Sequence, residues 1–287
     1  MTEMLELSGG EHAVLMLHGL SGSHLEMKRV GDLLNKAGFS VFIPDIPGYC
    51  YGGESTSWQA WVSIARNHLQ NLQPRFKTVS LLGLSMGATM SLLLAAEVKM
   101  TGALVLLAPS MGYDGWAIPW YRFLLDWVKY LPFRKYYRYN ESEPYGLKNE
   151  KMRERIKNAF VDREVSEVGG ASISLEHIIQ GDLLTEEARR QTHKVTCPTL
   201  IIHAIDDESV HPRHADWVYR MIASSDKEIL FLGDSYHMIT LDNERQMVFN
   251  ESEEFLKRVI NSQSAAPVFE IPDRMTRGFQ RYAKQHL

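Results

Sequence analysis

Thr78-Val79-Ser80-Leu81-Leu82 followed by Gly83-Leu84-Ser85-Met86-Gly87-Ala88 is the stretch on which the reading of this chain turns. The first five residues are short, apolar or β-branched, as a buried strand requires. The next five fit G-x-S-x-G, and Ala88 to Val98 continues as a nearly apolar helix. A serine on a sharp strand-to-helix turn sits in a strained backbone conformation, so the residues two places either side must be small. Glycine fills both places. Such a turn lifts the Ser85 hydroxyl above the sheet and aims a helix N-terminus at whatever Ser85 attacks. Ser85 is the candidate nucleophile.

Outward from this turn, short apolar runs alternate with longer amphipathic ones, the pattern of parallel β–α–β construction. Upstream, Ala13 to Leu17 reads as a strand, His24 to Lys36 as a helix, Phe39 to Ile43 as a strand and Ser57 to Leu72 as a helix. Ser57 is placed to cap that last helix. Ala103 to Leu107 is the next strand. The rhythm then breaks: from about Ser110 to Thr192 no clear strand is legible. It resumes with a strand at Thr199 to Ala204, a helix at about Arg213 to Ile222, a strand at Glu228 to Leu232 and a helix at Glu244 to Val259. The expectation is an α/β protein with a mostly parallel sheet of about six strands, flanked by helices and interrupted by a largely helical insertion. The expected divisions are a core over 1–110 and 193–261, an insertion over 111–192 and a tail over 262–287.

Negative charge develops on a carbonyl oxygen under attack, and two preorganised N–H donors would hold it. One is expected at Met86, directly after Ser85. The other is expected at Leu20, in the His18-Gly19-Leu20-Ser21-Gly22 turn that ends the first strand, where Gly19 lets the backbone come close. The base should be a histidine on a loop after the last strand, since chain order in such proteins runs serine, acid, histidine. His237 meets that condition. His203 falls inside a strand and reads as a packed core residue, while His211 and His214 read as the start of a surface helix. The acid should come from His203-Ala204-Ile205-Asp206-Asp207-Glu208, where Asp206, Asp207 and Glu208 all compete. A metal-site reading of this His/Asp cluster finds no matching zinc spacing, so no metal and no cofactor is expected.

With these residues in place, the chain resembles α/β-hydrolases of the bacterial carboxylesterase and monoacylglycerol lipase group. L-M-L-H-G-L-S-G, P-D-I-P-G-Y, G-L-S-M-G-A, D-E-S-V-H-P and S-Y-H-M-I-T-L-D carry the resemblance, over most of residues 12–260. It implies the α/β-hydrolase fold and a Ser85, Asp207, His237 triad. Asp207 is the aspartate that stands before Glu208 in the family's segment. It implies Leu20 and Met86 as oxyanion donors, and hydrolysis of a carboxylic ester through an acyl-enzyme. Thioesters, amides, carbon–carbon bonds and acyl transfer are alternatives on the same machinery, and a non-catalytic scaffold is another. The resemblance also implies that the insertion caps an acyl pocket. Relatives often carry phenylalanine where Leu20 stands, and this insertion is longer and more aromatic than in compact esterases.

Composition narrows the partners. The 287 residues are 45% hydrophobic and carry a formal net charge of −4, so no global field favours nucleic acid. No apolar run reaches the roughly 20 residues of a membrane span. The acidic start MTEMLELSGG lacks the order of a signal peptide. Two cysteines, Cys50 and Cys197, fit a reduced, cytoplasmic protein. Ten aromatics lie between Trp116 and Tyr139, interleaved with Arg122, Lys129, Arg134, Lys135 and Arg138. Such a segment suits a lid over an acyl chain or a transient membrane-surface contact. The expected partner is therefore a small-molecule ester with an apolar acyl chain.

Overall fold

The computed structural model describes residues 4–118, 137–140, 142–162, 165–166, 169–170 and 172–262. Most of the aromatic and basic run, and the tail beyond 262, lie outside the described residues. The core elements follow the expected order: β2 (His12–Leu17), α1 (Leu25–Lys36), β3 (Ser40–Pro44), α2 (Trp58–Leu72), β4 (Thr78–Leu84), α3 (Met86–Glu97) and β5 (Leu104–Leu107). Ser57 caps α2, its side chain accepting the Ala60 N–H.

The sheet has seven strands rather than about six, in the order β1-β3-β2-β4-β5-β10-β11. The additional strand is β1 (Met4–Leu7), an antiparallel edge on β3 with Leu5 opposite Ile43. Its residues are only partly buried, because a hairpin-like edge needs no continuous apolar run. After the insertion come β10 (Thr199–Ala204), α6 (Arg213–Met221), β11 (Lys227–Leu232) and α7 (Arg245–Ser262), and the remaining ladder pairs are parallel.

Alternate residues of the central strands feed two apolar layers. Leu15, Leu17, Leu81 and Leu106 face Trp61 and Leu69 of α2 and Met90 and Leu94 of α3. Val14, Met16, Leu82 and Val105 face Met27 and Val30 of α1 and Val248 and Phe255 of α7. A strand buried on both faces reads as one unbroken apolar run, which is why β2, β4 and β5 were legible.

The insertion is not purely helical. Alongside α4 (Glu150–Asp162) and α5 (Leu175–Gln191) it carries two small antiparallel pairs. β6 (Arg138–Asn140) pairs with β9 (Ser172–Ser174), and β7 (Val165–Ser166) pairs with β8 (Gly169–Gly170). Strands of two or three residues leave no period-2 signal. Helix α5 lies on α3, with Leu184 and Ala188 entering the layer shared with α2.

Candidate active site

The turn at Ser85 has the predicted strain. Its φ and ψ are 56° and −119°, a region that L-residues occupy only under constraint. A Cβ on Gly83 would lie 2.3 Å from Gly87 O, and one on Gly87 would lie 2.2 Å from Leu17 O. Glycine is therefore obligatory at both places. Helix α3 starts at Met86, two residues earlier than expected, so Ser85 is its N-cap. The Ser85 N–H donates to Leu107 O at 2.8 Å, fastening the turn to β5.

From this position Ser85 Oγ lies 2.8 Å from His237 Nε2, across 152 positions of sequence. His237 Nδ1 lies 2.7 Å from Asp207 Oδ2. The other carboxylate oxygen of Asp207 accepts the N–H groups of Ser209 at 2.9 Å and Val210 at 2.8 Å. Burial pushes the Asp207 carboxyl up, but His237, His203 and the Val210 N–H outweigh it and hold the pKa below the ordinary carboxylate value. Asp207 thus stays an anion that accepts from Nδ1 and leaves Nε2 free to take a proton.

The neighbouring acids separate cleanly. The Asp206 side chain is half exposed and pairs with Lys148 Nζ at 2.8 Å, away from the imidazole. Glu208 is buried, and its carboxylate accepts the backbone N–H of His237 at 3.0 Å, holding that loop rather than the ring. Burial first, and Asp207 second, push the Glu208 pKa up.

His203 is buried in β10 as expected, but it also reaches the site. Its Nε2 is 3.0 Å from Val210 O and 3.4 Å from Asp207 Oδ2. His214 departs from its expected surface place. It is buried, with Nε2 2.9 Å from Asp114 Oδ2, a partner 100 positions upstream.

The side chains of the two residues expected to supply the donors lie close together. A Cβ on Gly181 of α5 would lie 3.1 Å from Met86 Cε and 3.2 Å from Leu20 Cδ2, so both side chains rest against one point of the insertion. The turn that carries Leu20 is pinned on several sides. The Gly19 N–H donates to Glu26 Oε2 at 2.7 Å, the Ser21 N–H to Tyr49 O at 3.0 Å, and the Tyr49 hydroxyl to His18 O at 2.7 Å. No acceptor among the described residues takes the Leu20 or Met86 N–H.

Two further residues had no role assigned to them from the sequence. Ser110 is fully buried, with its Oγ 3.1 Å from Ser85 Oγ. Asp242 is fully buried, and its carboxylate accepts four backbone N–H groups, those of Tyr236, Lys148, Asn149 and Asn243. Cys50 and Cys197 are free thiols, and burial pushes Cys197 up to about 11.

Comparison with known proteins agrees with this architecture. The family model described as serine aminopeptidase, S33, matches residues 10–244. A thermostable monoacylglycerol lipase from a Bacillus species is 27% identical over 259 residues, covering 87% of this chain and 92% of that one. A carboxylesterase from Bacillus subtilis is 25% identical over 255 residues, covering 88% and 94%. The crystal structure of a monoacylglycerol lipase from Paleococcus ferrophilus superposes with a TM-score of 0.75 at 19% identity, covering 89% of this chain and 98% of that one. The match over most of its length shows that the chain belongs to the serine aminopeptidase S33 family, as a serine hydrolase of the α/β-hydrolase fold similar to bacterial carboxylesterases and monoacylglycerol lipases.

Proposed function

We propose that this enzyme hydrolyses carboxylic esters through Ser85, His237 and Asp207, with the N–H groups of Leu20 and Met86 as the oxyanion site. The observation that carries the reading is the unbroken row of contacts, 2.8 Å from Ser85 to His237 and 2.7 Å from His237 to Asp207. His237 takes the Ser85 proton as Oγ attacks the ester carbonyl. It then returns that proton to the leaving alcohol. Water repeats the sequence on the acyl-enzyme, releasing the acid and restoring Ser85. Each oxyanion donor contributes about 3 kcal/mol of transition-state stabilisation.

The preferred substrate in this proposal is a small ester with an apolar acyl chain, such as a monoacylglycerol. Support comes from the side chains of Leu20 and Met86 lying against α5, as they would if the insertion over 111–192 capped an acyl pocket. No described helix is long and apolar enough to cross a membrane. We place the enzyme in the cytoplasm, consistent with its free cysteines, and in transient contact with membrane surfaces through the cap. A series of p-nitrophenyl esters alongside monoacylglycerols tests the pocket: kcat/KM rises from acetyl to medium chains. Fastest turnover on acetyl esters, falling steadily with length, contradicts it. The family's description favours amide cleavage as a second reading, and turnover of aminoacyl p-nitroanilides above that of the esters establishes it.

A further inference from the structure

Ser110 stands beside the reacting oxygen with no part in the scheme above. Strand β5 ends at Leu107, and Ala108 then adopts a φ of 45°, a turn that non-glycine residues make only when held there. Pro109 follows, and the bend delivers Ser110 onto the turn at Ser85. The Ser110 N–H approaches Ser85 O at 3.4 Å, its carbonyl accepts the Thr89 hydroxyl at 2.6 Å, and its Oγ lies 3.1 Å from Ser85 Oγ. Its side chain has no access to water.

Counting protons fixes the direction of that contact. Asp207 is an acceptor, so His237 carries its proton on Nδ1 and offers a lone pair at Nε2. The single Ser85 proton points at Nε2. The hydrogen between the two serines therefore belongs to Ser110, which donates to Ser85 Oγ.

We propose that Ser110 is a catalytic residue for breakdown of the acyl-enzyme, acting as a hydrogen-bond donor to Ser85 Oγ when that atom leaves. This rests on Ser85 being the nucleophile. In the free enzyme Ser85 Oγ is a hydroxyl oxygen and already accepts the Ser110 bond, so attack gains little further from it. In the acyl-enzyme the same atom is an ester oxygen, a poor acceptor. As the tetrahedral intermediate collapses, the bond from carbon to Ser85 Oγ breaks and its electron pair goes to oxygen. His237 Nε2 supplies the proton, and Ser110 keeps its own. Charge develops on Ser85 Oγ in attack and in expulsion alike, but only expulsion starts from a poor acceptor, so the hydrogen bond strengthens most there.

The test is single-turnover kinetics with a p-nitrophenyl ester, following the Ser85 acyl adduct by rapid quench and intact-protein mass. In Ser110→Ala the adduct forms within about threefold of the wild-type rate and decays about tenfold more slowly, so that it accumulates. Ser110→Cys, with its weaker donor, decays at an intermediate rate. Equal loss in formation and decay, or decay within twofold of wild type, overturns the proposal. Ser85→Ala is the control. An acyl adduct persisting in that variant defeats the nucleophile assignment itself, a failure distinct from that of Ser110.

Discussion

Asp242 Oδ2 accepts the backbone N–H of Lys148 at 2.7 Å, and the same oxygen accepts the N–H of Tyr236 at 2.8 Å. Lys148 belongs to the insertion and Tyr236 is the residue before His237. One buried carboxylate therefore ties the insertion to the loop that carries the proposed base. A second tie lies on the acid loop, where the Gly115 and Ala117 N–H groups donate to Ser209 O and Glu208 O at 3.0 and 2.9 Å.

Removing the first tie has a definite expected cost. Asp242→Ala leaves four backbone N–H groups without their acceptor, at about 1–3 kcal/mol for each that water does not reach. Urea unfolding will show a loss of about 3–5 kcal/mol, and kcat will fall with it as the His237 loop slackens. An unchanged unfolding midpoint would remove Asp242 from this account.

Asp207 and Asp206 are adjacent in sequence and opposite in expected effect. Asp207→Asn should lower kcat by about 10³–10⁴-fold, because an amide cannot hold the imidazole in the accepting tautomer. Asp206→Asn loses only an exposed pair with Lys148 and should stay within about threefold of wild type. The two purified variants assayed side by side decide it; comparable losses would mean the acid is misassigned.

How much of this was legible beforehand depended on how local each cause is. Gly83, Ser85 and Gly87 could be read because their constraint is steric and lies within five residues. Asp207 had to be chosen with help from resemblance, since its exposed neighbour has the same chemistry. Ser110 and Asp242 act through partners 25 and 94 positions away, and no spacing announces them. His214 was misplaced for the same reason: its pattern suits a helix surface, but Asp114 draws it inward. The missed strand β1 is half-buried on an edge, where an apolar run is not needed.

Acid should weaken the packing of α5 against the core. His177 on α5 is buried, stacks on Trp61 at 6.1 Å, and is lowered from 6.5 to about 4, first by burial and then by Arg138. Its folded value lies below its unfolded one, so the unfolded chain binds the proton first. Stability is thus full above about pH 6.5 and declines as pH falls towards 4, by about 2 kcal/mol from this group. Thermal melts between pH 7.5 and 4.5 measure the slope, and His177→Gln should make it shallower. A slope unaltered by that substitution would assign the acid sensitivity elsewhere.

Gly181 offers a handle on the proposed pocket. Alanine gains about 1 kcal/mol of helix propensity there. Its Cβ, however, would press on Met86 and Leu20 at 3.1 and 3.2 Å. Gly181→Val should therefore lower kcat/KM for medium-chain esters at least tenfold, with a smaller loss on acetyl esters. Equal losses across the series would mean that this contact does not shape the pocket.

The most direct measurement is turnover by purified Ser85→Ala on the best ester substrate, read beside intact-protein mass after treatment with a fluorophosphonate. The account predicts a fall of about 10⁴–10⁶-fold in kcat, and a stoichiometric adduct on the wild type that the variant lacks. More than a tenth of wild-type activity in Ser85→Ala, or an adduct that maps to another residue, would contradict it.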